Sequence, residues 1–238
     1  MVKLVDVEAL CASRHLDREV IILCVRWYLR LKLGFRDLVE MMGERGLSIA
    51  HATIMRWVQR YAPAFERRWN RFAWTAGRSW PVDETYVKIR GEWIDLYRAV
   101  DRDGKTVDFR LSARRDVAAA KAFFRRAIKA RGCAPPTITL HGYTTSHRVV
   151  REMRADGTLP DDTKLGSSKY INNLIEQDHC GIKLHPRPML GFKRFNNAAI
   201  RIAGIDFLRQ TQMDQFNLSR LRLEGQTAPA AWNAVLAA

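Results

Sequence analysis

Trp80-Pro-Val-Asp-Glu-Thr-Tyr-Val-Lys-Ile-Arg90 reads as a β-strand with a carboxylate at its middle. Val82, Tyr86, Val87 and Ile89 are strand formers and Gly91 closes the segment. Pro81 fits the strand's start, where a missing ladder N–H costs least. Side chains alternate with period 2, so Asp83 shares a face with Thr85, Val87 and Ile89. An acid in that row is expensive inside a sheet unless it is paired or binds a cation. Pairing with one of the chain's many arginines explains it as well as a cation does, so the stretch alone leaves both open.

Working outward, composition narrows the partner. The chain has 238 residues, 47% of them apolar, which supports one fair-sized domain plus a small one with a packed core. A formal charge of +15 and a pI of about 10.2 favour a polyanion, either nucleic acid or an anionic membrane. No apolar run approaches the roughly 18–20 residues that span a bilayer, and Val7–Cys11 is too short for a signal-peptide core. A soluble intracellular protein without membrane association is expected. Cys11, Cys24, Cys133 and Cys180 are scattered and form no Cys-x-x-Cys pair, so neither a disulfide framework nor a zinc knuckle is indicated.

Upstream of the strand the pattern is helical. Asp17 is a plausible N-cap for a helix reaching about residue 32, with Val20, Leu23, Cys24, Trp27 and Leu31 as its buried stripe. A second helix, about 36–45, stops at Gly46; a third runs from about 50 to 61, where Pro63 ends it. The third buries Ile54, Trp57, Val58 and Tyr61 and shows His51, Thr53, Arg56, Gln59 and Arg60 outward. Two short helices joined by a Gly-containing turn, with a polar-basic outer face on the second, fit a helix-turn-helix as well as an ordinary hairpin. On the first reading Thr53 and Arg56 reach base edges, and Gln59 and Arg60 lie nearer phosphates.

Downstream, Gly91-Glu92 predicts a tight hairpin into a strand over 93–101, and 106–112 a third strand. A helix over about 116–131, a short strand 137–140 ending at His141-Gly142, and a helix over about 146–155 follow. Residues 156–169 read as a polar loop, 171–183 as a helix, 192–212 as a long basic helix, and the last two dozen residues as a loose tail. The sum is a mixed α/β domain with helices on both faces of the sheet.

The polar residues on these elements could converge. Asp83 is mid-strand and His141 is at the C-terminal end of strand four, where ligands gather in open α/β sheets. Glu176 shares a helix face with Asn172, His179, Cys180 and Lys183. Converging acids repel unless a divalent cation neutralises them. Magnesium suits a site built from few carboxylates and phosphate oxygens. A zinc site from His179, Cys180 and His185 lacks a fourth ligand at sensible spacing. Lys193, Arg194 and Arg201, on the last helix, read either as phosphate contacts or as a solvated face.

Over nearly its whole length the chain resembles the small bacterial insertion-sequence transposases of the "IS six" group. The matching segments are Arg56-Trp-Val-Gln-Arg-Tyr-Ala-Pro63, Asp83-Glu-Thr-Tyr-Val-Lys88, Leu96-Tyr-Arg-Ala-Val-Asp101, Asn172-Asn173 through Glu176-Gln-Asp-His179, Lys183, and Gly191-Phe-Lys193. The resemblance implies a helix-turn-helix ahead of an RNase H-like DDE catalytic domain. It makes Asp83 the first catalytic acid and Glu176 the third, with His179 and Lys183 in DNA-contacting or supporting roles. The family's second acid, with 34 residues between it and the Glu, falls at His141 here. One base separates Asp and His codons, so the change reads as a disabled copy, a deliberate inactive mutant, or a natural ligand swap. Neutral imidazole prefers zinc or manganese to magnesium, and losing one negative charge should weaken magnesium binding.

The expected organisation is an arm (1–16), a helix-turn-helix domain (17–62), a linker helix (63–78), the RNase H-like domain (79–215) and a tail (216–238). The resemblance implies catalytic and metal-binding roles for Asp83, His141 and Glu176, holding two Mg2+ ions for which Mn2+ can substitute. Its substrates are double-stranded DNA, both element ends and target. It implies a homodimer on that DNA, no small-molecule substrate, and a cytoplasmic, nucleoid-associated location. The rival expectation is a decayed or repurposed transposase that binds DNA without cutting it, which the residue at 141 favours.

Overall fold

In a computed structural model the described residues are 17–31, 33–75, 77–140, 144–167, 192–221 and 228–237. They form two compact units, one holding 17–74 and 196–237, the other 75, 77–140, 144–167 and 192–195.

The first unit is helical. Helix α1 (Arg18–Arg30) starts at Asp17, whose carboxylate accepts the Glu19 amide at 3.3 Å, as the capping argument expects. Helix α2 (Phe35–Gly43) opens at Gly34, whose N–H donates to Asp37 Oδ2 at 2.7 Å. Gly46, at φ 74°, takes the left-handed turn that ends it. Helix α3 (His51–Trp69) buries Ile54, Trp57, Val58 and Tyr61 as expected, but does not stop at Pro63. An interior proline costs about 3 kcal/mol. Burial of Phe65 and Trp69 beyond it contributes about 1.5–3 kcal/mol each, enough to carry the helix on.

Helix α6 (Phe195–Gln212) has all but its first residue in this unit, and α7 (Ala228–Ala237) closes it. The C-terminal segment read as a loose tail is therefore partly helical. Trp232, Val235 and Leu236 are buried, and Trp232 packs on Trp69, Phe65 and Phe207 with ring centroids 5.3–5.6 Å apart.

The second unit is a five-stranded mixed sheet in the order β3-β2-β1-β4-β5. Strands β1 (Ser79–Ile89), β2 (Glu92–Val100) and β3 (Thr106–Ser112) form an antiparallel meander, while β4 (Thr137–Leu140) and β5 (Lys164–Ser167) run parallel to β1 on its other side. The β1–β2 hairpin turns on Arg90-Gly91, one residue earlier than the sequence suggests. Both residues have positive φ, 55° and 90°, which matches the twist of the flanking strands. The stretch read as a loop over 156–169 contains β5.

Helices α4 (Val117–Arg131) and α5 (Thr144–Ala155) cover one sheet face, where Trp80, Val82, Tyr97 and Ile138 meet Phe123, Phe124, Val149 and Met153. Asp116 caps α4 by accepting the Ala119 amide at 2.7 Å. The helix expected over 171–183, which would cover the other face, lies outside the described residues. Among the described residues, no helix is long and apolar enough to cross a membrane.

Candidate active site and nucleic-acid interface

Asp83 sits half-buried in β1, the central strand of the sheet, on the face opposite the α4–α5 layer. Its row contains buried Thr85, Val87 and Ile89, as period 2 requires. The cross-strand register sets Arg98 of β2 directly opposite Asp83. Arg98 is fully buried, and its Nη2 donates to Thr106 Oγ1 at 2.9 Å. An ionised guanidinium in a sheet interior demands partners, and on β1 its register neighbour is this carboxylate. Sequence reasoning missed Arg98 as a neighbour of the site. The signal was the Leu96–Asp101 segment, which supplies the arginine but not its register.

Leu140, the last residue of β4, is the register partner of Val82. His141 and Glu176, the other expected ligands, lie outside the described residues, as do Asn172, His179 and Lys183. Among the described residues, no group of three or more His, Cys, Asp and Glu side chains is placed to hold a metal ion.

The opposite face of β1 carries a second charged cluster that the sequence did not announce. Arg115 Nε donates to Glu84 Oε2 at 3.2 Å, and its guanidinium also donates to the Tyr86 hydroxyl. Asp95, paired with Tyr86 across the hairpin, is buried beside them. Burial pushes the Asp95 carboxyl above its ordinary value; the Arg115 charge opposes that shift and Glu84 adds to it. Burial likewise raises the Tyr97 phenol, with Glu84 and Asp95 reinforcing it.

Asp101, the last residue of the matched Leu96–Asp101 segment, is structural. Its carboxylate accepts the Gly77 amide at 3.1 Å, that of Asp103 at 3.0 Å and that of Lys105 at 2.9 Å, closing the β2–β3 turn.

On α3, His51, Arg56 and Arg60 are exposed, and Thr53 and Gln59 are half-buried. Arg60 lies over the Tyr61 ring, 5.7 Å from its centroid. Lys193 and Arg194 are exposed just ahead of α6, not on it. Arg201 corrects an expectation. It is only 7% exposed, with its guanidinium 4.7 Å from the Tyr28 ring centroid, and burial lowers its affinity for a proton. A side chain so enclosed packs α6 against α1 and is not part of a solvated face.

The site and fold thus define a mixed α/β domain with an acid on its central strand, in a strongly basic chain. The DDE domain family of IS240-type transposases matches residues 77–215. The transposase for insertion sequence-like element IS431mec of Staphylococcus aureus (strain Mu50) is 38% identical over 193 residues, covering 81% of this chain and 84% of that protein. The transposase for insertion sequence element IS257 in transposon Tn4003, also of S. aureus, matches at the same identity and coverage. Among solved structures, the simian T-cell lymphotropic virus intasome in complex with the PP2A regulatory subunit B56 gamma has a chain of TM-score 0.42 and 14% identity. That match covers 71% of this chain and 63% of that chain. The chain belongs to the insertion-sequence transposases that carry a DDE domain, as the sequence motifs implied.

Proposed function

We propose that this transposase binds the terminal inverted repeats of its element and catalyses divalent-metal-dependent nicking and strand transfer. We read its magnesium-dependent activity as impaired by His141. The observation that carries this reading is Asp83, a half-buried carboxylate on the central strand of the domain that matches the DDE family. The β3-β2-β1-β4-β5 order, antiparallel on one side of β1 and parallel on the other, supports an RNase H-like core. Leu140, the last residue of its strand, pairs with Val82, the residue before Asp83, and His141 follows it in sequence.

Asp83, His141 and Glu176 would hold two Mg2+ ions, with Mn2+ as a substitute. Two carboxylates and an imidazole are a donor set that suits a divalent cation, manganese better than magnesium. Bound there, the ions would supply activation of the attacking oxygen and stabilisation of the leaving one in phosphoryl transfer. Asp83 contributes a fixed negative charge on a rigid strand. Arg98 is its register partner on β2. Helices α2 and α3 act as a helix-turn-helix, with His51, Thr53, Arg56, Gln59 and Arg60 facing DNA, and Lys193 and Arg194 add phosphate contacts. His179 and Lys183 contact DNA near the site. The protein works as a homodimer on double-stranded element ends and target DNA in the bacterial cytoplasm, associated with the nucleoid.

His141 itself favours a second reading, a transposase that occupies its repeats without cutting them. End-nicking in manganese, assayed on the chain and on Asp83→Asn, separates the two. The proposed function predicts nicking that Asp83→Asn abolishes while end binding persists. Nicking unchanged by the substitution would remove Asp83 from the chemistry.

A further inference from the structure

The sheet face that α4 and α5 cover ends before the β1–β2 hairpin does. Trp80 and Val82 lie under those helices, and the same row of β1 continues through Glu84, Tyr86 and Lys88. Across the register Tyr86 faces Asp95 and Lys88 faces Trp93. At this end two aromatic side chains stand in solvent, Trp93 65% exposed and Tyr86 39%. Their rings meet edge to face, with centroids 6.4 Å apart. An aromatic side chain left out forgoes one of the largest burials available to folding, and Trp93 belongs to neither hydrophobic core. Cations flank the pair. Lys88 Nζ lies 5.5 Å from the Trp93 ring centroid, and the Arg115 guanidinium 5.4 Å from that of Tyr86. Trp93 keeps its exposure with Lys88 in place, so ring surface remains open beside the cation. Arg90 is exposed at the turn. Among the described residues Lys88 and Arg90 make no ion pair, whereas Arg115 is engaged by Glu84.

An exposed aromatic ring flanked by cations without counter-ions has the chemistry that takes single-stranded nucleic acid. The ring stacks on any base, and the cations follow the backbone. A second copy of this chain suits the surface less, because a charge of +15 brings like charge to Lys88 and Arg90. We infer that the hairpin end of this sheet face binds an unpaired DNA strand, with one base stacked on Trp93 and phosphates drawn to Lys88 and Arg90. The inference rests on the DNA-handling reading only for the source of that strand. It does not involve Asp83, which belongs to the other face of β1.

Fluorescence anisotropy of a labelled short oligothymidylate, with the full chain in EDTA so that metal-dependent cleavage plays no part, tests it. Trp93→Ala should weaken oligothymidylate binding about fivefold or more while leaving a blunt random duplex within about twofold. The thermal midpoint should stay at the parent's value, since the ring is exposed. Trp93→Phe, which keeps a ring, should retain most of the affinity, and Lys88→Gln/Arg90→Gln should lower both the affinity and its salt dependence. Irradiating the parent chain with an oligonucleotide carrying 5-bromodeoxyuridine should cross-link the peptide that contains Trp93. Oligothymidylate affinity untouched by Trp93→Ala, an equal loss on the duplex, or a cross-link confined to other peptides would overturn the inference. A fall in self-association by sedimentation, with oligothymidylate binding intact, would also overturn it and give the surface to a second copy. Because no divalent ion is present, a failed nicking assay leaves this result untouched, and the converse holds.

Discussion

Asp95 is a carboxyl group in surroundings that resist its charge. It is buried on β2 next to Glu84, and its Oδ1 has no hydrogen-bond partner among the described residues. The folded chain therefore keeps the Asp95 proton to a higher pH than the unfolded chain does. Through this group, stability falls as pH rises from the ordinary carboxylate range through the raised one. Asp95→Asn should flatten that slope and hold the thermal midpoint up as pH rises; a midpoint that keeps the parent's pH slope above the ordinary carboxylate range would place the effect elsewhere. The β1–β2 hairpin shows what sequence can and cannot say at this scale. Asp83's face was legible because period 2 is local geometry. Arg98's position beside it was not, because register depends on a hairpin turn that falls at Arg90-Gly91, one residue before the sequence signal. Arg201 misled for a related reason: a cation's burial is decided by what packs over it, here Tyr28.

Elements follow their local chemistry until tertiary packing overrides it. Strands β1 to β4 and the capped helices α1 and α4 were readable from alternation and caps. Strand β5 was not, since Lys164-Leu-Gly-Ser167 contains no β-branched residue and owes its state to pairing with β4. Pro63 signals a helix end that the burial of Phe65 and Trp69 overrules. The β2–β3 turn is closed by backbone hydrogen bonds between Asp101 and Lys105 and from Gly104 to Asp101, and the Asp101 carboxylate adds to them. Asp101→Ala would leave the amides of Gly77, Asp103 and Lys105 without their acceptor. It should cost about 2–4 kcal/mol in urea denaturation; a loss under about 0.5 kcal/mol, the range of ordinary surface changes, would show that water replaces the carboxylate. On α3, Arg56→Ala should weaken specific end binding by about 1–3 kcal/mol if Arg56 reads a base, measured against random DNA. Equal loss on both DNAs would assign Arg56 to the phosphate backbone instead.

For the molecule as a whole, a charge of +15 pointed to a polyanion before any element was placed, and the family match at 77–215 is in keeping with DNA as that partner. The division into units was less legible. Residues 196–215 belong to the family-matched domain by sequence, yet pack within the first unit with α1, α3 and α7. Aromatic packing among Trp69, Phe207, Phe216 and Trp232 joins segments far apart in the chain, which no local periodicity reveals. The expected constellation rests on the sequence motifs, and of its three members only Asp83 falls among the described residues. The account therefore turns on position 141. Strand transfer of a labelled element-end oligonucleotide, compared between this chain and His141→Asp in magnesium and in manganese, tests it most directly. The account predicts robust transfer by His141→Asp in magnesium, with the parent chain weak or silent there and helped by manganese. Equal transfer by both proteins in magnesium would contradict it, making His141 a fully working ligand.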